Sequence, residues 1–151
     1  MTKQLILGTT LRFTGLPLVD AWEDCAHVNT AGGVLVVDGQ IMAVDDASTL
    51  KSAHPDAKVT DYGTDMITAG FVDAHMHYPQ TAMIASWGKQ LIDWLNTYTF
   101  PEESQFGDAD YAAEIAGRTC DLAIAHGTTS LTSFCTIHPT SVDAFFDAAA
   151  T

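Results

Sequence analysis

The chain of 151 residues has the length of one ordinary domain, and its 47% hydrophobic content is enough to bury a core, which argues against intrinsic disorder. Nineteen acidic residues against six Lys and Arg give a net charge of −13, a field that repels nucleic-acid phosphates and anionic lipid headgroups. Nucleic acid and membrane surfaces are therefore excluded as partners. No apolar run approaches the ~20 residues of a spanning helix, and the start MTKQLILGTTLRFTG lacks the hydrophobic stretch and cleavage site of a secretory signal, so a cytoplasmic location is expected. Cys25, Cys120 and Cys135 are widely spaced and form no CxxC pair, which points to neither a disulfide framework nor a thiolate zinc site. Cys120 and Cys135 lie in apolar patterns and read as buried free thiols.

The first third reads as β-structure. Leu5 to Phe13 is one strand, and GVLVVDGQIMAV, Gly33 to Val44, is a hairpin whose Asp38-Gly39 pair supplies the positive backbone angles of a tight turn. Asp45 to Pro55 reads as a loop with a short helical turn, and Lys58 to Tyr62 as a further short strand. From Met66 onward strand and helix alternate, the pattern of parallel βα units. Ile67 to His75 is the first such strand, interrupted by Gly70; Gly88 to Tyr98 is a short helix; Pro101 begins another turn only if the chain before it is extended. In DADYAAEIAGRTCDLAIAHG the residues Ala112, Ile115, Ala116, Thr119, Leu122, Ala123 and His126 fall on one helical face, with Asp108 as cap and Gly127 as stop. Thr128 to Cys135 reads as a second buried strand, and after Pro139 comes a helix capped by Thr140 or Ser141.

The expected organisation is thus an α/β chain with a β-rich segment over residues 1–66 and two βα units over residues 67–151. A closed (β/α)8 barrel takes about 250 residues, so two units read as the front of a barrel that needs more protein. The closing DAAAT lies inside a helical pattern with no stop signal, which is the expectation for a truncated chain.

The chemistry concentrates in TAGFVDAHMHYPQ, Thr68 to Gln80. Strand alternation places Phe71, Asp73, His75 and His77 on one side and Val72, Ala74 and Met76 on the other. Two imidazoles then point the same way at the C-terminal end of a strand, where a parallel barrel builds its active site. Neutral imidazole nitrogen suits zinc and leaves positive charge to activate water, and a catalytic zinc takes three protein ligands, so His75 and His77 make an incomplete set. Iron accepts the same donors. An HxH pair by itself is more often a hydrogen-bonded pair of core or surface residues; the strand and flanking sequence reverse that weighting.

GFVDAHMH resembles the first-strand motif of the metal-dependent amidohydrolase superfamily, and HYPQTAMIASWGKQLIDWLNTYTFPEE together with HGTTSLTSFCTIHP resembles its guanine deaminase family. The likeness runs from about Gly70 to the end and more loosely includes the β-rich front. It implies a (β/α)8 TIM barrel with a β-sandwich built from both chain ends, residues 1–66 being the N-terminal part of the sandwich. It implies hydrolytic deamination of guanine to xanthine and ammonia, a step of purine catabolism, at one zinc per active site in a homodimer. His75 and His77 match two of the family's metal ligands. Its later histidine, its aspartate and its proton-transfer glutamate have no counterpart here, so the chain alone is expected to be inactive.

The same resemblance makes His77, Tyr78, Pro79 and Gln80 the first substrate-contacting stretch. Gln80 stands out because one amide both donates and accepts, matching a purine edge. Trp94 is either an apolar wall for a flat ring or a core residue beside Leu91 and Leu95. His138 in CTIHP lies on the barrel rim or simply starts a helix, while Asp73 orients neighbours or accepts backbone hydrogen bonds. His27, His54 and His126 have no partner at ligand spacing, and Asp20, Glu23, Asp24, Glu102 and Glu103 read as solvated charge. The HxE and PCxxC motifs of the cytidine-deaminase design are absent. The alternatives are an amidohydrolase acting on another aminated ring, such as a pterin, triazine or cytosine, and a non-catalytic fragment.

Overall fold

The computed structural model describes residues 1–150. The chain has a mixed α/β fold that divides into two compact units, one of residues Met1–Ala69 and one from Gly70 onward.

The first unit is built on a four-stranded sheet. Its elements are β1 (Lys3–Phe13), a single turn α1 (Trp22–Cys25), β2 (Ala26–Val37), β3 (Gln40–Asp46), α2 (Ala47–Ala53) and β4 (Lys58–Ile67). The strand order is β3-β2-β1-β4, with β1 antiparallel to β2, β2 antiparallel to β3, and β1 parallel to β4. The expected hairpin is present: Asp38 and Gly39 take φ of 49° and 82°, so the connection has the left-handed pair that matches strand twist. Asp38 Oδ1 also accepts hydrogen bonds from the Thr2 amide and hydroxyl, at 2.6 and 3.0 Å. Leu5, Leu7, Leu35 and Leu50 form the core, Leu50 arriving on α2. Cys25 is buried, whereas Cys120 and Cys135 are only half-buried, so the most enclosed thiol is the one the apolar patterns did not single out.

The second unit runs β5 (Phe71–His77), a 3-10 segment (Tyr78–Met83), α3 (Leu91–Trp94), a π turn (Leu95–Thr99), α4 (Phe100–Glu103), a 3-10 turn (Ser104–Gly107), α5 (Ala109–Ala125), β6 (Thr128–Phe134) and α6 (Pro139–Ala149). The first strand begins at Phe71 and not at Ile67, which closes β4 of the other unit. Beyond Leu91 the chain stays helical through Pro101, with Phe100 at φ −66° and ψ −40°. A proline ring crowds the preceding turn and removes one amide donor; the wider π turn ahead of it accommodates both, so no extended residue is needed.

Asp108 caps α5 by accepting from the Asp110 and Tyr111 amides, and Gly127 ends the helix with φ of 84°. The cap of α6 is His138, not Thr140 or Ser141, because Pro139 takes the first helical position where its missing amide costs nothing. Ser141 instead accepts from the Thr136 amide and donates to the His138 carbonyl.

Strands β5 and β6 pair in parallel across α5, a βαβ unit. The strands are largely exposed and not buried, with Phe71, Val72 and Phe134 all more than half open. The core lies instead between the helices and the 3-10 segments: Tyr78, Phe106, Ala112, Ile115, Ala116 and Phe145. The α5 stripe is buried from Ala112 to Thr119, while Leu122 and His126 are exposed. No helix among the described residues is long and apolar enough to cross a membrane.

Phe106 has no exposed surface and meets Tyr78 and Tyr111 edge-on, with ring centroids 5.5 and 5.4 Å away. Phe106→Ala is expected to destabilise this unit by about 3–5 kcal/mol, seen as a lower urea midpoint with an unchanged slope.

Candidate functional site

The two histidines owe their placement to an irregular strand. Between Asp73 and Met76, β5 has one residue more than β6, since Asp73 pairs with Leu131 and Met76 with Ser133. Such a bulge takes an amide off the ladder, and Asp73 Oδ1 accepts the His75 N–H at 3.1 Å. Strict alternation is therefore broken: Asp73 lines a cavity with Met76, Thr119 and Leu131 beside α5, and does not share the histidines' side. After the bulge His75 and His77 resume the two-residue period and stay together. Their ring centroids are 5.4 Å apart, and Phe134, the ladder partner of His77, touches both. It stacks on His77 with centroids 4.9 Å apart and planes 21° from parallel.

The segment that follows divides its residues between core and cavity. Tyr78 and Pro79, expected to contact substrate, are fully buried. Tyr78 donates its hydroxyl to the Ser141 carbonyl at 2.6 Å and stacks on Phe145, so its side chain faces the core. Gln80 turns the other way. Together with His75, His77, Met83, Ser86 and Trp94 it lines an open cavity of about 380 Å³, within the range of small-molecule sites. A larger groove of about 510 Å³ borders α5, β6 and α6, but it is lined mainly by apolar residues and holds no histidine. Chemistry therefore favours the smaller cavity over the larger.

Trp94 is half-buried at this cavity and does not join the core cluster. Its Nε1–H donates to the Ser86 carbonyl at 3.1 Å. The loop lies so close that a Cβ on Gly88 would come within 2.7 Å of Trp94 Cβ and 3.2 Å of its Cα. Ala85, at the cavity wall, has φ of 66°, a left-handed conformation that costs about 1 kcal/mol for a residue with a Cβ. The strain is local to the wall that faces the histidines.

Two residues escaped the sequence reading. Phe134 was legible only through the register of β6 against β5. Glu103, read as solvated charge, is half-buried and its Oε1 accepts the Gln80 side-chain amide at 3.3 Å. Glu102 is likewise engaged, accepting from the Tyr111 hydroxyl and, at 3.0 Å, from Gln105. His138 stays at its helix start, where its amide donates to Thr136 Oγ1 at 3.2 Å. His27 meets the Thr14 hydroxyl and His126 the Leu122 carbonyl, both at 2.8 Å.

The donor chemistry at the cavity suits part of a metal centre: two adjacent imidazoles at the end of a strand, with no lysine or arginine on the walls. Among the described residues no group of three or more His, Cys, Asp or Glu is placed to hold an ion.

The amidohydrolase family model matches residues 66–151, more than half of the chain, and the chain belongs to that family. A second model, the imidazolonepropionase-like composite domain of bacteria, matches residues 32–57 in the β-rich unit. Within the family, the chain is similar to the guanine deaminases. It is 40% identical to guanine deaminase of Escherichia coli (strain K12) over 78% of this chain and 27% of that protein. The crystal structure of guanine deaminase from Bradyrhizobium japonicum superposes with a TM-score of 0.88 at 32% identity, covering 99% of this chain and 33% of that one. The enzyme from C. acetobutylicum, solved with bound guanine in its active site, superposes with a TM-score of 0.77 at 28% identity, over 97% of this chain and 33% of that one. The chain thus spans between a quarter and a third of the length of these relatives.

Burial pushes the Tyr78 pKa up to about 12, Cys135 adding to the rise and the bond to Ser141 opposing it. A phenol raised in this way stabilises the fold fully below the ordinary value of 10, and that contribution is lost as pH climbs from 10 through about 12. Tyr78→Phe should cost about 1 kcal/mol at neutral pH yet lessen the fall in stability across that alkaline window. Urea midpoints measured at a series of pH values check both signs; Tyr111, also raised to about 12 by burial and Glu102, keeps the remaining slope.

Proposed function

We propose that this chain is the front of a zinc-dependent guanine deaminase, and that His75 and His77 supply two of the metal's ligands. The observation that carries the reading is the meeting of two side-by-side imidazoles with Gln80 and Trp94 around one cavity, in a chain similar to guanine deaminases over most of its length. The reaction is the hydrolytic deamination of guanine to xanthine and ammonia, in the cytoplasm, by a homodimer.

In this reading residues 67–151 are the first βα units of a (β/α)8 barrel, and residues 1–66 belong to a β-sandwich. The exposed Phe71, Val72 and Phe134 on β5 and β6 and the apolar groove along α5 and α6 support it, since a further strand and helix would cover them. The remaining ligand donors and the proton-transfer carboxylate then lie in protein outside these residues.

When bound, zinc supplies the Lewis acidity that makes water nucleophilic near neutral pH. This chain's own residues hold the donors in place and orient the ring. His75 and His77 present nitrogen donors from a strand whose bulge is fixed by Asp73. Phe134 covers one face of His77, which limits how far that ring can turn and keeps water from it. Gln80 orients a flat purine through its amide, and Trp94 offers it an apolar wall. Tyr78 and Pro79 act from beneath, locking the stretch between His77 and Gln80 to the core.

Metal analysis and turnover of the complete gene product test this reading. His75→Ala is expected to lose retained zinc and guanine turnover together; wild-type zinc content in that variant would remove His75 from the ligand set. On a panel of aminated rings guanine should be the best substrate. Strong turnover of a triazine or cytosine with none of guanine would overturn the substrate assignment.

A further inference from the structure

We infer that Glu103 is a positioning residue that fixes which end of the Gln80 amide donates, and which accepts, toward a ring lying beside His75 and His77. The inference rests on the reading of this cavity as a purine site. A glutamine amide has two ends alike in shape and opposite in hydrogen bonding, so an unrestrained Gln80 reads a ring edge in either order. Gln80 Nε2 donates to Glu103 Oε1 at 3.3 Å, while Gln80 also lines the cavity. A carboxylate only accepts. Turning the amide over would therefore set oxygen against oxygen, in a half-buried place where water competes poorly.

Glu103 is itself held in position. It closes α4, and its neighbour Glu102 is tied to α5 through the Tyr111 hydroxyl and to Gln105 at 3.0 Å. The backbone that carries Glu103 is thus tied down through Glu102, independently of anything bound in the cavity. The consequence is specificity: a ring whose edge offers donors and acceptors in the matching order is accepted, and one with the order reversed leaves a polar pair unsatisfied.

The test is a double-mutant cycle in the complete gene product, with guanine as substrate. Glu103→Gln, whose amide tolerates both orientations of Gln80, is expected to raise KM about tenfold, a larger change than in kcat. Gln80→Ala should raise KM at least as much, and the double variant should be no worse than Gln80→Ala alone, because Glu103 acts only through Gln80. Glu103→Asp, which keeps an acceptor-only group, should recover part of the loss. An unchanged KM in Glu103→Gln, or additive effects in the double variant, would overturn the role of Glu103 while leaving the deaminase reading intact. A wild-type protein that turns over other rings but not guanine would instead sink that reading.

Discussion

One extra residue in β5 governs the candidate site. Had β5 paired with β6 in perfect register, Asp73 would share a side with both histidines and place its carboxylate among them. The bulge between Asp73 and Met76 instead sends Asp73 toward α5 and uses its Oδ1 to hold the displaced His75 amide. What reaches the cavity is a pair of imidazoles backed by Phe134, an arrangement of ring nitrogens beside an aromatic face. The backbone irregularity and the chemistry are therefore the same feature viewed at two scales.

The chain then changes role residue by residue. His77 faces the cavity, Tyr78 and Pro79 face the core, and Gln80 faces the cavity again. A 3-10 segment makes this possible, because its three-residue turn brings positions 77 and 80 to the same side while the two between them point inward. Carboxylates that lie far along the chain complete the arrangement. Glu103 meets Gln80, and Glu102 meets Tyr111, so a segment rich in acidic residues is tied down by neutral donors and not by salt bridges.

How much of this was legible in the sequence follows from the range of the interactions involved. The Asp38-Gly39 turn, the Asp108 cap and the first half of the α5 stripe, Ala112 to Thr119, are set by neighbours within a turn or two and are legible in the sequence, whereas Leu122 and His126, expected on the same buried face, are exposed. The HxH pair at a strand end was equally visible. The bulge was not, because it is decided by pairing with residues more than fifty positions away. Glu103 looked like surface charge for the same reason: its partner Gln80 is 23 residues distant. Pro101 misled in a different way, since its local rule was overridden by a π turn that propensity does not encode. The β5 and β6 runs read as buried because alternating strand and helix imply a parallel sheet covered on both faces, whereas here Phe71, Val72 and Phe134 are more than half open.

The anchoring of Tyr78 bears on how the site would lose its order. Only one peptide bond separates an exposed histidine from a phenol whose hydroxyl is bound to the first turn of α6 and whose ring stacks on Phe145. The Tyr78 amide is held as well, donating to Ser133 Oγ at 3.0 Å, so the end of the exposed strand is tied to the cluster that joins α5 and α6 and shares its cooperative order.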